Sequence, residues 1–306
     1  MRRIDATDLY LATVLTLLRV TETANSIALC ERFAAVIGGT AARTSRRKYQ
    51  NTLRALSDYF GTRHDARTLR RIARQTFHTF WLDAFVLCQL DWRAVLDAAQ
   101  ITGLEHLEHA HARGRGVILL ENSYFGLRNL AKRILHARGW QIHQTHATNH
   151  LAGFSAPGST TLRQRVLHPA FEEREKNFVA SIVHIPTDGS FDFVRAIARL
   201  LANNAAVYFS GDGDTSHKFI AIDFLGRRAP FPTGIVNLAR LSGAPIVPLF
   251  CFRDQKQRVV LRVEPPLEFP DNARAAEIGM AHYAARYAQY IDTYPEQYRN
   301  WYSLNK

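Results

Sequence analysis

Cysteine is scarce in this chain: Cys30, Cys88 and Cys251 are the only three in 306 residues, and none stands in a Cys-x-x-Cys pair. An odd, scattered set argues against a disulfide framework, points to a reducing compartment, and suits buried core residues. Proline is missing from the first half; the first is Pro157. A long apolar run is missing too. The stretch from Leu9 to Leu18 is broken by Arg19, well short of the ~20 apolar residues a spanning helix needs. It also lacks the small-residue cleavage site of a signal peptide. Continued through Ile27, Ala28, Leu29 and Phe33, it reads as a long apolar helix or helix pair that packs on the core or lies in a membrane interface. Low-complexity segments and internal repeats are absent. With 47% apolar and 22% charged residues, the composition is that of a folded protein, with disorder confined to the termini.

Acidic residues are the minority charge: 27 Asp plus Glu face 39 Lys plus Arg, for a net charge of +12. Such a surplus favours anionic partners: nucleic acid, anionic lipid headgroups, phosphates or an acidic carrier protein. Arg43, Arg46, Arg47 and Lys48 form one basic group; Arg63, Arg67, Arg70, Arg71 and Arg74 form another at helical spacing. These are solvated helix faces or a contact for a membrane surface or a carrier protein. Nucleic acid is not expected, because no zinc-finger or RNA-binding signature and no aromatic-basic strand appears. The expected location is cytoplasmic, soluble or peripheral on the inner face of the cell membrane.

Up to about Gln100 apolar residues recur at three- and four-residue spacing, as in Leu53, Leu56, Tyr59 and Phe60, then Leu69, Ile72, Phe77, Phe80 and Phe85, which predicts helices. The pattern changes after Gly114. Gly116–Leu120 is a continuous apolar run, the mark of a buried parallel strand. Further strands are predicted over Trp140–Ala147, Ala206–Ser210, Lys218–Leu225, Pro245–Phe252 and Arg258–Val263. Helices are predicted over Phe125–Ala137, Phe191–Leu201, Gly234–Leu241 and Ala275–Thr293. Strands alternating with helices predict the α/β class: a central mixed, mostly parallel sheet flanked by helices, with an N-terminal helical layer. No linker rich in Pro, Gly or Ser divides the chain. The expectation is one domain over 1–306, with a helical layer over 1–100 and an α/β core over 101–306.

Sites in open α/β sheets gather at the carboxyl ends of strands. Two segments fit. In Gly116-Val-Ile-Leu-Leu-Glu-Asn-Ser-Tyr-Phe-Gly-Leu-Arg-Asn129, a strand runs through a polar loop into a helix whose free N–H groups suit an oxyanion or phosphate. In Val207-Tyr-Phe-Ser-Gly-Asp-Gly-Asp214 a strand ends in an acidic turn. A strand, the basic turn Arg227-Arg-Ala-Pro-Phe-Pro and a helix opening at Thr233-Gly234 follow. Asp212 and Asp214 bind a cation, orient a hydroxyl, or cap a turn. The histidines at 143, 146 and 150 do not read as a metal set: a strand points His143 and His146 to opposite faces, and no cysteine lies near. No metal is expected.

The order of these segments resembles the late acyltransferases of lipid A biosynthesis. Asp212 and Gly226 keep that family's spacing, and Pro232-Thr233-Gly234, Leu238-Ala239 and Gly243-Ala-Pro-Ile-Val-Pro248 follow in register. Arg46-Arg47 with Asn51-Thr-Leu, Gly103-Leu-Glu-His-Leu, and Tyr294-Pro-Glu-Gln-Tyr-Arg-Asn-Trp301 add support over nearly the whole chain. The resemblance implies transfer of a fatty acyl group to a lipid or small-molecule acceptor. The donor would be an acyl carrier protein or coenzyme A thioester, acting as co-substrate with no separate cofactor. It also implies an arginine for a phosphate or phosphopantetheine group after the second strand, where Arg163 and Arg165 stand; Arg227 and Arg228 are similar candidates.

The family's catalytic motif is a His, then Phe-Gly-Asn-Trp, then Glu or Asp, with the His as general base and the acid orienting it. Aligned on Phe125-Gly126, the His position is Tyr124 and the acid position Asn129; a shift by one pairs Ser123 with Arg128 and restores nothing. Three readings stand open: acyl transfer at a rebuilt site, a non-catalytic binding protein, or a structural partner of an active paralogue. A rebuilt site would draw on Glu121, Tyr124, Asn129 and Asp212 around an apolar groove near the Tyr124 loop. Glu121 would be the base if burial raises its pKa, and one of His143, His146 and His150, in the next strand and loop, would reach the same crevice. An amine acceptor would need a weaker base. Ser123, Arg128, His146, Arg163, Arg165, Asp214, Arg227, Thr233 and Gly234 are the candidate substrate contacts.

Overall fold

A computed structural model describes residues 16, 27–88, 93–147, 150–151, 154–155, 168–186, 191–212 and 218–304. The run Leu9–Leu18 apart from Thr16, together with Pro157, Arg163, Arg165 and Asp214, lies outside the described residues, as does the side chain of His150.

From Ile27 on, three helices precede the sheet: α1 (Ile27–Thr44), α2 (Arg46–Phe60) and α3 (Ala66–Cys88). Asp65 opens α3 by accepting the Thr68 amide at 2.7 Å, the usual answer to the free N–H groups of a first turn. Their apolar stripes face inward, with Cys30, Leu56, Ile72, Leu82 and Phe85 buried, while Arg67, Arg70, Arg71 and Arg74 stay exposed. A short α4 (Arg93–Ala98) follows. Among the described residues no helix is long and apolar enough to cross a membrane.

The rest alternates: β1 (Gln100–Thr102), α5 (Leu104–His111), β2 (Val117–Glu121), α6 (Arg128–Ala137), β3 (Ile142–Ala147), β4 (His150–Leu151), β5 (Phe154–Ser155), α7 (His168–Glu175), β6 (Ser181–Ile185), α8 (Asp192–Ala202), β7 (Ala206–Ser210), β8 (Phe219–Phe224), β9 (Arg227–Pro232), α9 (Gly234–Ser242), β10 (Ile246–Arg253), β11 (Val259–Val263) and α10 (Ala275–Thr293). Seven strands form one sheet in the order β1-β11-β10-β2-β7-β3-β6. Only β10 and β11 are antiparallel; every other neighbour pair is parallel. The expected α/β architecture is what forms.

Burial follows from the pattern. Val117 to Leu120 are all fully buried, as a central parallel strand covered on both faces requires. Side-chain alternation sends Val117 and Leu119 to one face, against Leu130, Ile134, Leu82 and Phe85 of α6 and α3. Ile118 and Leu120 go to the other, against Ile235, Val236 and Tyr283 of α9 and α10.

Two expectations change. The predicted helix over Phe125–Ala137 begins only at Arg128, because Phe125 pairs with Tyr298 in an isolated bridge. Arg227–Pro232, read as a basic turn, is a strand that forms a hairpin with β8 apart from the main sheet. Pro230 and Pro232 sit there without disturbing a central ladder.

Candidate functional site

β2 ends at Glu121, and the chain then makes a tight polar loop before α6. Asn122, 2% exposed, folds back so that its Oδ1 accepts the Phe125 amide at 3.0 Å. Gly126 has φ 59°, and a Cβ there would collide with the Cys251 carbonyl. Only glycine satisfies both demands, which is why the Phe-Gly pair is a fixed point of the loop. The Leu127 amide then donates to Cys251 at 2.7 Å.

The C-terminal segment straps this loop. The Gly126 amide donates to the Gln297 carbonyl at 2.9 Å and the Arg299 amide to the Tyr124 carbonyl at 2.6 Å. The Arg299 guanidinium donates to the Ser123 carbonyl at 2.8 Å and to Asp83 Oδ2 at 2.7 Å. Trp301 is fully buried, its indole N–H donating to Pro295 at 2.8 Å. The tail motif is thus part of the site's frame.

Asp83 on α3 is the hub of one cluster. It accepts the Asn129 backbone amide at 3.1 Å and the Asn129 side-chain amide at 3.0 Å. Asn129 also donates to the Asp83 carbonyl at 3.2 Å. Asn129 therefore anchors the start of α6 to α3, and its amide protons have partners already.

Glu121 sits in a second cluster. It is 4% exposed. Arg128 donates to its Oε1 at a long 3.5 Å, and its Oε2 is buried with no hydrogen bond. Burial raises the Glu121 pKa to about 7, against the pull of Arg128 and Lys132. Lys132, one turn along α6, is also buried; desolvation pushes its ammonium pKa down, and it pairs with Glu175 of α7.

The Asp212 turn closes the other side. The Ser123 amide donates to its Oδ1, and the Tyr287 hydroxyl donates to its Oδ2 at 3.0 Å. Burial nevertheless pushes the Asp212 pKa up. The Ser123 and Ser210 hydroxyls touch. Gly211 passes so close to Tyr283 that a Cβ would lie 2.7 Å from its ring, while the Tyr283 hydroxyl donates to the Glu121 carbonyl at 2.7 Å.

The structure thus brings Glu121, Ser123, Arg128, Asn129 and Asp212 together, with half-buried Tyr124 in the same loop. Other candidates are engaged elsewhere. Arg227 donates to Asp58 at 2.9 Å and to the Leu304 carbonyl, tying the hairpin to α2 and the tail. Thr233 and Gly234 open α9, the Thr233 amide donating to Lys218 at 3.1 Å. Arg228 reaches Asp223 of its own hairpin at 3.4 Å. Sequence reasoning missed Asp83 and Arg299, which sit on a helix and a tail far along the chain from the loop they serve, and Lys132, one turn into the helix that follows that loop.

A cavity of about 400 Å³ lies among α1, α2, α3 and the tail, lined by Lys48, Thr52, Phe77, Phe80, Trp81 and Arg299 among others. The apolar groove was expected to be faced by Glu121, Tyr124, Asn129 and Asp212. None of the four lines this one; Arg299 is the residue that joins it to their loop.

The family described as bacterial lipid A biosynthesis acyltransferase matches residues 5–302. A phosphatidylinositol mannoside acyltransferase of Mycolicibacterium smegmatis (strain ATCC 700084 / mc(2)155) is 22% identical over 77% of this chain and 71% of its own length. One of Mycobacterium tuberculosis (strain ATCC 25618 / H37Rv) is 23% identical over 75% of this chain and 67% of its own. With its sheet, its strapped Phe-Gly loop and this match over nearly all its length, the chain belongs to the bacterial lipid A biosynthesis acyltransferase family.

Proposed function

We propose that this chain transfers an acyl group from a carrier-protein or coenzyme A thioester to a hydroxyl or amine, with Glu121 as the proton acceptor. The observation that carries this is a carboxylate buried at the end of the central strand, with one oxygen lacking a hydrogen bond and its pKa raised to about 7. An ordinary carboxylate is a weak base at neutral pH, whereas one matched to the working pH is a good one.

In the proposed step the acceptor oxygen or nitrogen attacks the thioester carbonyl carbon while Glu121 takes its proton. Arg128, beside Glu121, supplies positive charge to the developing oxyanion. Collapse breaks the C–S bond, and the proton passes from Glu121 to the sulfur. The ester or amide and a free thiol leave, and Glu121 returns to its starting form. The cavity by Phe77, Phe80 and Trp81 is the proposed acyl groove. The exposed arginines of α3 suit an acidic carrier protein or anionic membrane surface. Because the relatives are named for a phosphatidylinositol mannoside, an anionic glycolipid hydroxyl is the first acceptor to try.

A second reading, an acyl-binding protein without turnover, is favoured by Tyr124 and Asn129 in the dyad positions and by the Asn129 amide being held by Asp83. One experiment separates the two. The full chain is incubated with acyl carrier protein and coenzyme A thioesters and a panel of hydroxyl and amine acceptors, phosphatidylinositol mannoside included. Product plus equimolar free thiol, lost in Glu121→Gln, supports catalysis. Bound thioester with no product across the panel supports the binding protein.

A further inference from the structure

Away from the Glu121 loop, at the β6 end of the sheet, two histidines and a glutamate from three separate elements converge. His146 of β3 and His184 of β6 are direct partners in the parallel register. Side chains at paired positions of adjacent strands project from the same face, and their rings lie 6.2 Å apart. Glu172 of α7 completes the group, its Oε1 3.3 Å from His184 Nε2. One ligand atom from each of the three lies within 4.8 Å of the other two. His143, on the opposite face, is occupied with Ser181 at 2.8 Å, so strand alternation excludes it from the group as expected while leaving His146 to meet partners from elsewhere in the chain.

We propose that His146, His184 and Glu172 form a zinc-binding site. Two imidazoles and one carboxylate are a donor set that suits Zn²⁺ and its neighbours Co²⁺ and Ni²⁺ and disfavours Mg²⁺ or Ca²⁺, which prefer all-oxygen shells. In a tetrahedral zinc site the ligand atoms stand about 3.4 Å apart, so the present spacing closes with a shift of about 1.4 Å or less. His184 and Glu172 retain solvent exposure, at 46% and 26% of their side chains. That freedom permits the adjustment, gives an ion an entry path, and leaves a fourth position open for water or an exogenous ligand. The helix bearing Glu172 is already docked by the Glu175–Lys132 ion pair one turn on. A bound ion would clip α7 to the two strands at the sheet edge. The site does not depend on whether the chain turns over acyl groups.

The test uses the full chain without a histidine tag, stripped with a chelator and titrated with Zn²⁺ against a chromophoric competitor at neutral pH. The expected result is one Zn²⁺ per chain and a rise in Tm on loading. His184→Ala and His146→Ala should abolish this binding, Glu172→Gln should weaken it by about tenfold or more, and His143→Ala should leave it unchanged. Because a variant can fail for lack of folding, Co²⁺ is added to the unaltered protein as a second measurement. Visible d–d bands of a four- or five-coordinate ion are expected. No stoichiometric zinc and no cobalt bands overturn the proposal, as does zinc binding that survives both histidine substitutions in folded protein.

Discussion

Asp83 and Glu121 are both carboxylates buried beside Arg128, yet their surroundings differ in kind. Asp83 accepts from two groups of Asn129 and from Arg299, all at 2.7–3.1 Å. Glu121 has one long contact at 3.5 Å, an oxygen with no hydrogen bond, and a pKa raised by desolvation. A buried carboxylate that is fully partnered holds structure together; one that is under-partnered favours taking up a proton. The two sit in one loop frame, so rigidity and basicity come from different residues.

The contrast can be broken from either side. Asp83→Ala strands the Arg299 charge and should cost about 3–5 kcal/mol of unfolding free energy, read by denaturant titration; a loss below about 1 kcal/mol would deny Asp83 its anchoring role. Glu121→Gln should lower acyl transfer about 10²–10⁴-fold while the chain stays folded. Its effect on stability has the opposite sign. The raised folded pKa means Glu121 contributes stability that is present below about pH 4.5 and lost as pH rises through about 7. Above that window the variant should equal or exceed the parent in stability.

Smaller effects sharpen the comparison. Asn129→Ala should cost about 1–3 kcal/mol through lost bonds to Asp83, with turnover retained. Asn129→Asp should be less stable still at pH 8, because two carboxylates would then face each other, and the gap between the two variants should narrow on acidification. If Asn129→Asp instead raised activity, the family's usual acid would be recoverable here and the division of labour would fail. Arg227→Ala breaks a half-exposed pair and should change stability by less than about 1 kcal/mol with turnover unaltered.

What the sequence disclosed follows from where physics writes its signal. The central strands were legible as continuous apolar runs because β2, β7 and β10 are covered on both faces. The edge strand β6 escaped because its half-exposed Ser-Ile-Val-His-Ile carries little pattern. β9 read as a turn because prolines and arginines mask an off-sheet hairpin partner. Within the site, Glu121, Arg128 and Asn129 were found because strand end, loop and helix start are contiguous in the chain. Arg299 and Asp83 meet across 216 residues; the tail motif that holds Arg299 was visible but carried no sign of a place in the site, and nothing local marks Asp83. His146 was visible as a residue, but its neighbours Glu172 and His184 come from a helix and an edge strand that no spacing rule links to it.

The most direct test of Glu121 as base is the dependence of kcat/KM on pH, measured for the unaltered chain and for Glu121→Gln with the same thioester and acceptor. A rise through an apparent pKa near 7 in the parent, gone from the residual rate of the variant, is what the account predicts. Equal rates in the two proteins, or one pH profile shared by both, would contradict it.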